Sequence, residues 1–235
     1  MIVPIPHKLS EMAVRAIRES CEFSGARSVE LVSRPIAAAL GAGLPIEEPT
    51  GSMVVDIGGG STEVSVISMS DVVQSVTVPG GGFGMDQAII DYLQRHHALL
   101  VGPRTAEALK IQLGSACASD TEVSTVVKGR CLRNGIPRAV LVTNADVQLA
   151  LKEPTERIAE TIRSVLERVS SELANDIVDN GLVLTGGGAQ VRDLDYALRE
   201  RTGLPVVLAE EPATAVVRGA GLLFESRNNR KAVAC

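Results

Sequence analysis

Asp56 followed by Gly58, Gly59 and Gly60 is the stretch of this chain best suited to chemistry, because it sets a carboxylate beside a turn without side chains. Glycine reaches positive φ readily, and with no Cβ in the way a bulky anion can approach the backbone N–H groups. The turn reads as a phosphate cradle or as a bare glycine hairpin, since glycine loops alone are weak motifs. Ser61 and Thr62 place hydroxyls directly after it. Two more glycine runs follow, at Gly80, Gly81, Gly82 and Gly84 and at Gly186, Gly187 and Gly188. Glu107 and Lys110, three apart, share one helical face and taken alone form an exposed ion pair. His96 and His97 lack further ligands at metal spacing and read as solvated, and His7 reads as a loop residue.

These residues need elements to hold them. Met53 to Asp56 reads as a buried strand, and Thr62 to Ile67, rich in β-branched residues, as its hairpin partner, with a third strand over 71–78. Before them come a strand over 2–6, a helix over 10–21 capped by Ser10 and closed by Gly25, a strand over 28–32, and a small-residue helix opened by Pro35. A helix follows the second glycine run, with Met85, Ala88, Ile89, Tyr92 and Leu93 on one face. Thr105 caps the helix that carries Glu107. Strands over 122–128 and 138–143 enclose a turn at Asn134 and Gly135. A helical region opens at Asn144, resumes after Pro154 and runs towards Asn180. Gly181 to Thr185 is a short strand ending in the third glycine run, followed by a helix over 194–201, a strand over 206–208 and a helix over 213–224. The tail from Glu225 reads as polar and frayed. The LGAG ending at Gly43 and the RGAG ending at Gly221 both fall on small-residue helices, which pack as a hinge or as ordinary glycine-mediated neighbours.

The 235 residues suffice for one large domain or a lobe with an insert. A net charge of −5, with two Tyr, three Phe and no Trp, gives neither a basic footprint nor stacking platforms for nucleic acid. Cys21, Cys117, Cys131 and Cys235 lack zinc or disulfide spacing and read as free thiols in a reducing cytoplasm. The apolar stretch from Pro35 to Pro45 is too short to span a bilayer, and Met1 runs into IVPIP with no leader pattern.

Together, VVDIGGGSTEVSVIS at 54–68, GMDQAI at 84–89, LKIQLGSA at 109–116 and VLTGGGAQVRDL at 183–194 resemble the MreB family of bacterial actin-like, rod shape-determining proteins. The resemblance implies an α/β, actin-like (ribonuclease H-like) ATPase fold with an incomplete first lobe and a second lobe carrying a small α+β insert. It assigns residues 1–52 to a remnant of the first inner subdomain, 53–90 and 145–212 to the second inner, nucleotide-binding subdomain, 91–144 to a small outer subdomain, and 213–235 to a hinge helix and tail. It further implies ATP and Mg2+ as cofactors. Asp56, Gly58, Gly59, Gly60, Ser61 and Thr62 form the second phosphate loop, with Asp56 reaching the metal through water. Glu107 and Lys110 flank the adenosine, and Gly186, Gly187 and Gly188 form its loop.

The departures are as informative. The family's first phosphate loop has no counterpart before Ile2. Arg34 stands where the family carries the water-positioning glutamate before the proline, leaving Ser61 as the remaining candidate for positioning water. Phe83 replaces an aspartate. A guanidinium has no acceptor and cannot serve as a base, so impaired hydrolysis is expected. The implied role is filament formation in rod shape and cell-wall organisation, as a homopolymer or a copolymer with a full-length relative. Contacts to cell-wall synthesis and membrane proteins would tie a cytoplasmic chain to the membrane. The alternatives are a non-hydrolysing paralogue or fragment, and a plasmid-segregation or magnetosome actin.

Overall fold

The computed structural model describes residues 1–233, with side chains through residue 226. The chain begins with β1 (Ile2–Ile5), α1 (Glu11–Phe23) and β2 (Glu30–Ser33). The Ser10 hydroxyl accepts from the Ala13 amide at the start of α1, satisfying one of the orphan donors of a helix N-terminus. β1 and β2 pair in parallel as a two-stranded sheet of their own. α2 (Arg34–Gly41) follows at once, with Pro35 in its first turn, where the missing N–H costs nothing.

β3 (Ser52–Ile57), β4 (Ser61–Ser68) and β5 (Asp71–Pro79) form an antiparallel meander. β3 is buried at every position, so its near-continuous apolar sequence, rather than alternation, is what a strand covered on both faces requires. α3 (Gly82–His97) leads into β6 (Leu99–Leu100), α4 (Pro103–Leu113), β7 (Ser124–Cys131) and β8 (Pro137–Thr143), the three strands forming a separate antiparallel sheet. α5 (Asn144–Leu166) and α6 (Ser171–Asn180) return the chain to β9 (Leu182–Thr185), α7 (Leu194–Thr202) and β10 (Val206–Leu208). β9 and β10 join the meander in parallel, giving the order β10-β9-β3-β4-β5. One face of this sheet packs Val55, Ile57 and Val64 against Met85 and Ile89 of α3 and Ile158 and Ile162 of α5. On the other face Val54 and Ile67 meet Ala38 and Ala39 of α2.

α8 (Ala215–Val233) packs on α2 through glycine. A Cβ on Gly41 would strike the Ala215 carbonyl, and one on Gly219 would strike the Ala37 carbonyl, so the LGAG and RGAG segments are the two sides of one close backbone contact.

Several expectations need correction. α5 runs unbroken through Pro154, held by packing against α3 and α7, and it begins at a capping box between Thr143 and Asp146. It stops at Leu166 and does not continue to Asn180; Ser170 caps a separate α6, its hydroxyl accepting from the Leu173 amide. α4 is capped by Gly102 with Pro103 first, which leaves Thr105 inside the helix. His97 is half-buried, its Nε2 3.2 Å from Asp146 Oδ1, and is not simply solvated, whereas His96 is exposed as expected and stacks on Tyr92 at 4.2 Å. α8 extends through Val233 where a frayed tail was expected. Cys21, Cys117 and Cys131 are free thiols, and Cys235 lies outside the described residues.

Candidate functional site

The sheet register assembles the site. β3 lies between β4 and β9, so Asp56 faces Glu63 on one side and Thr185 on the other, and the turns after β3 and β9 emerge side by side. The Gly58 N–H donates to the Ser61 carbonyl at 3.0 Å and closes the first turn. The second glycine run braces that turn: the Gly82 and Phe83 amides donate to the Gly58 and Gly59 carbonyls, each at 2.8 Å, and the Gly80 amide to Gly60 at 2.9 Å. A Cβ on Gly81 would strike the Gly58 carbonyl, so this run must be bare for the two turns to touch. The first N–H groups of α3 are therefore spent on the neighbouring loop.

The third run lies against the same strand end. Gly186 has φ +84°, and a side chain there would meet the Ile57 carbonyl and Asp56 Oδ1, while one on Gly188 would meet the Ile57 side chain. Opposite, Lys110 Nζ lies 2.8 Å from Asp86 Oδ1 and donates to the Gly82 carbonyl at 3.0 Å. Glu107 is exposed, so the expected Glu107–Lys110 ion pair gives way to a buried one between Lys110 and Asp86.

Between these parts is a cavity of about 390 Å³, walled by Gly58, Gly59, Glu107, Lys110, Gly187 and Gly188 among the expected residues, with Phe83 and Arg192 at its side. Asp56, Gly60, Ser61, Thr62 and Gly186 do not line it. Thr62 is fully buried, and its hydroxyl donates to the Gly80 carbonyl at 3.3 Å. A larger groove of about 790 Å³ runs between α3 and α5 near Tyr92, Arg95 and Pro154, away from the glycine turns.

Asp56 sets the electrostatics behind the cavity. Burial pushes its carboxyl above the usual range and Glu63 adds to the shift, while the Arg34 guanidinium and the Thr185 hydroxyl, 3.4 Å from Oδ1, pull the other way. Arg34 opens α2, where a cation meets the positive end of the helix dipole, an unfavourable placement worth about 0.3–1 kcal/mol. No cluster of three or more His, Cys, Asp or Glu able to hold a metal occurs among the described residues. Among the described residues that line the cavity Glu107 carries a carboxylate, and Asp56 stands behind the wall.

Asp86, Glu63 and Phe83 belong to this site although reading the sequence assigned no site role to Asp86 or Glu63. Asp86 lies in the GMDQAI segment, and Glu63 is the acid directly across the β3–β4 hairpin from Asp56. Phe83 is exposed and its ring closes over Gly59.

A model of the MreB/Mbl protein family matches residues 1–232. The chain is 48% identical over 225 residues to the cell shape-determining protein MreB of Escherichia coli K12, covering 96% of this chain and 65% of that protein. It is 38% identical over 226 residues to the cell shape-determining protein Mbl of Bacillus subtilis, covering 68% of it. The crystal structure of MreB5 of Spiroplasma citri bound to AMPPNP superposes with a TM-score of 0.94 at 28% identity, covering 100% of this chain and 70% of that one. The MamK double helical filament, at 22% identity and a TM-score of 0.79, shares the fold.

Proposed function

The chain belongs to the MreB/Mbl family, with an actin-like α/β fold, and from that premise we propose that it is a nucleotide-binding, filament-forming cytoskeletal protein with impaired hydrolysis. It spans 65% of the length of the E. coli relative, so the activity of the longer proteins reaches it only as a proposal. The observation that carries the reading is the cavity of about 390 Å³ between the Gly58–Gly59 turn, the helix carrying Glu107 and Lys110, and the Gly187–Gly188 turn, two of its walls being glycine turns without side chains. Glycine turns that let an anion approach the backbone, beside a fixed Lys110–Asp86 pair, suit a polyphosphate and its nucleoside.

ATP is the ligand the family resemblance implies, and AMPPNP, bound in the S. citri structure, is of that class. Magnesium belongs to the same expectation, with the buried Asp56 as the acid that would reach it through water. Hydrolysis is the weakened step. Water attacking a terminal phosphate must be oriented by an acceptor, and Arg34 offers only donors, while Ser61 lies outside the cavity wall. Assembly either with itself or with a full-length relative, in rod shape and cell-wall organisation, follows from the same family role. Among the described residues no helix is long and apolar enough to cross a membrane; the family role brings with it an association with the membrane through partner proteins.

Equilibrium binding of ADP and AMPPNP, followed by sedimentation with and without a full-length relative, tests this reading. Saturable binding, pelleting on addition of nucleotide, and phosphate release at the rate of buffer blanks are the expected results. Absence of binding to either nucleotide overturns the reading; turnover matching that of a full-length relative overturns the impaired hydrolysis.

A further inference from the structure

Two large apolar side chains line the cavity between the glycine turns and remain open to solvent. Phe83, in the first turn of α3, is 69% exposed, and Ile111, the residue after Lys110 on α4, is 74% exposed. Neither stabilises the fold by burial. The edge of the Phe83 ring rests on the first turn, its Cζ and Cε2 lying 3.1 and 3.2 Å from the point where a Cβ on Gly59 would stand. The Phe83 amide donates to the Gly59 carbonyl, so main chain and ring are seated on the same turn. Lys110, through the Gly82 carbonyl and Asp86, fixes the helix that carries Ile111 against the start of α3. Val191, beyond the third glycine run, adds a half-buried apolar wall that packs on the core.

The cavity thus offers two chemistries. Its bare turns admit an anion to the backbone, while Phe83, Ile111 and Val191 present carbon. A bare polyphosphate would use only the first. A nucleotide uses both, because its sugar and base have apolar faces and every base has a π-face that an aromatic ring can meet. Ligand pockets combine an apolar lining with a few fixed polar groups in this way. We propose that Phe83 and Ile111 hold the nucleoside half of the nucleotide, which covers their exposed surfaces when it binds. The proposal rests on the nucleotide reading of the cavity and adds the two side chains that separate a nucleotide from a bare polyphosphate.

The test is isothermal titration calorimetry of the full chain with ADP at several temperatures. Burial of apolar surface on binding gives a negative heat-capacity change, which is expected for the wild type. F83A and I111A each weaken ADP binding by more than about fivefold and make that change less negative. Their melting temperatures stay at the wild-type value, since both side chains are exposed. Should F83A melt early, I111A carries the test alone. Wild-type ADP affinity in both variants overturns the proposal and leaves the nucleotide reading standing. A loss of affinity at an unchanged heat-capacity change also overturns it, since the side chains would then support the turn and not the nucleoside. Absence of ADP binding to the wild type overturns both.

Discussion

The β1–α1–β2 unit and the five-stranded sheet are built by the same local rules and end in opposite environments. α1 has a capped N-terminus and an apolar stripe, yet it buries no residue, and Met12 and Phe23 are 83% and 95% exposed. β3, with no comparable local signal, is buried along its whole length. Propensity and capping decide that an element forms, whereas coverage on both sides decides whether it can hold charged groups in fixed positions. The cavity and its ion pair belong to the covered region. The small unit is joined to it by the packing of β1 and β2 on the α2–α8 pair and by the His7–Glu63 hydrogen bond.

The largest effect is expected inside the covered region. Replacing Lys110 with Met removes the partner of a nearly buried Asp86, and an uncompensated buried charge costs about 3–5 kcal/mol. Chemical denaturation of K110M reads the loss, and the D86N/K110M double variant recovers part of it. A pair that proves additive in this cycle would show that the two groups do not share the burial. G219A comes next, because its Cβ meets the Ala37 backbone carbonyl, which cannot rotate away; a loss of about 1–3 kcal/mol is expected. Limited proteolysis of G219A cuts first within residues 1–33, since the helix pair anchors that unit; first cuts in β3 or β9 would place the anchor elsewhere.

This ordering also explains what was legible in the sequence. The glycine runs marked the turns because backbone approach demands glycine at Gly81, Gly186 and Gly219, and no other residue type leaves that trace. The strands of the meander and the register that joins Asp56 to its loop followed from β-branched runs. The Lys110–Asp86 pair was hidden because it joins two helices, and Glu107 at helical spacing offered a nearer but wrong partner. Pro154 misled in the opposite sense: α5 is packed on α3 and α7, and that coverage carries the helix past a residue that would break an isolated one. The Thr62 hydroxyl, next to the turn in sequence, donates to the Gly80 carbonyl, a contact between two glycine runs that spacing alone does not reveal.

A smaller, pH-dependent effect is expected at Asp56, where the covered region holds an acid against its preference. Burial raises its folded pKa above the unfolded value of about 3.9, so below that value both states are protonated and no penalty exists. As pH rises through the interval between the two values, the unfolded chain ionises first and stability falls, and above the folded pKa the full penalty applies. D56N is free of it. In the absence of nucleotide the variant melts at or above the wild type at pH 7, and the difference narrows near pH 4. A wild type that gains stability over this range would show that Arg34 and Thr185 outweigh burial at this carboxyl.

The smallest effect is expected in α1, where it bears most directly on the contrast. Met12 and Phe23 contribute to the helix's apolar character but touch solvent, so truncating them removes little area from contact. M12S and F23S each change stability by less than about 0.5 kcal/mol, as surface substitutions away from caps and charges do. Ser10 is the control on the same helix: S10A removes the hydroxyl that accepts from the Ala13 amide and costs about 0.5–2 kcal/mol of helix stability. Because α1 is held by its own hydrogen bonds and not by a core, that cost falls on local opening, and amide exchange over residues 11–23 accelerates while β3 stays protected. A loss above about 1 kcal/mol in F23S would mean that this face is covered in solution, and α1 would then belong with β3 on the packed side of the comparison.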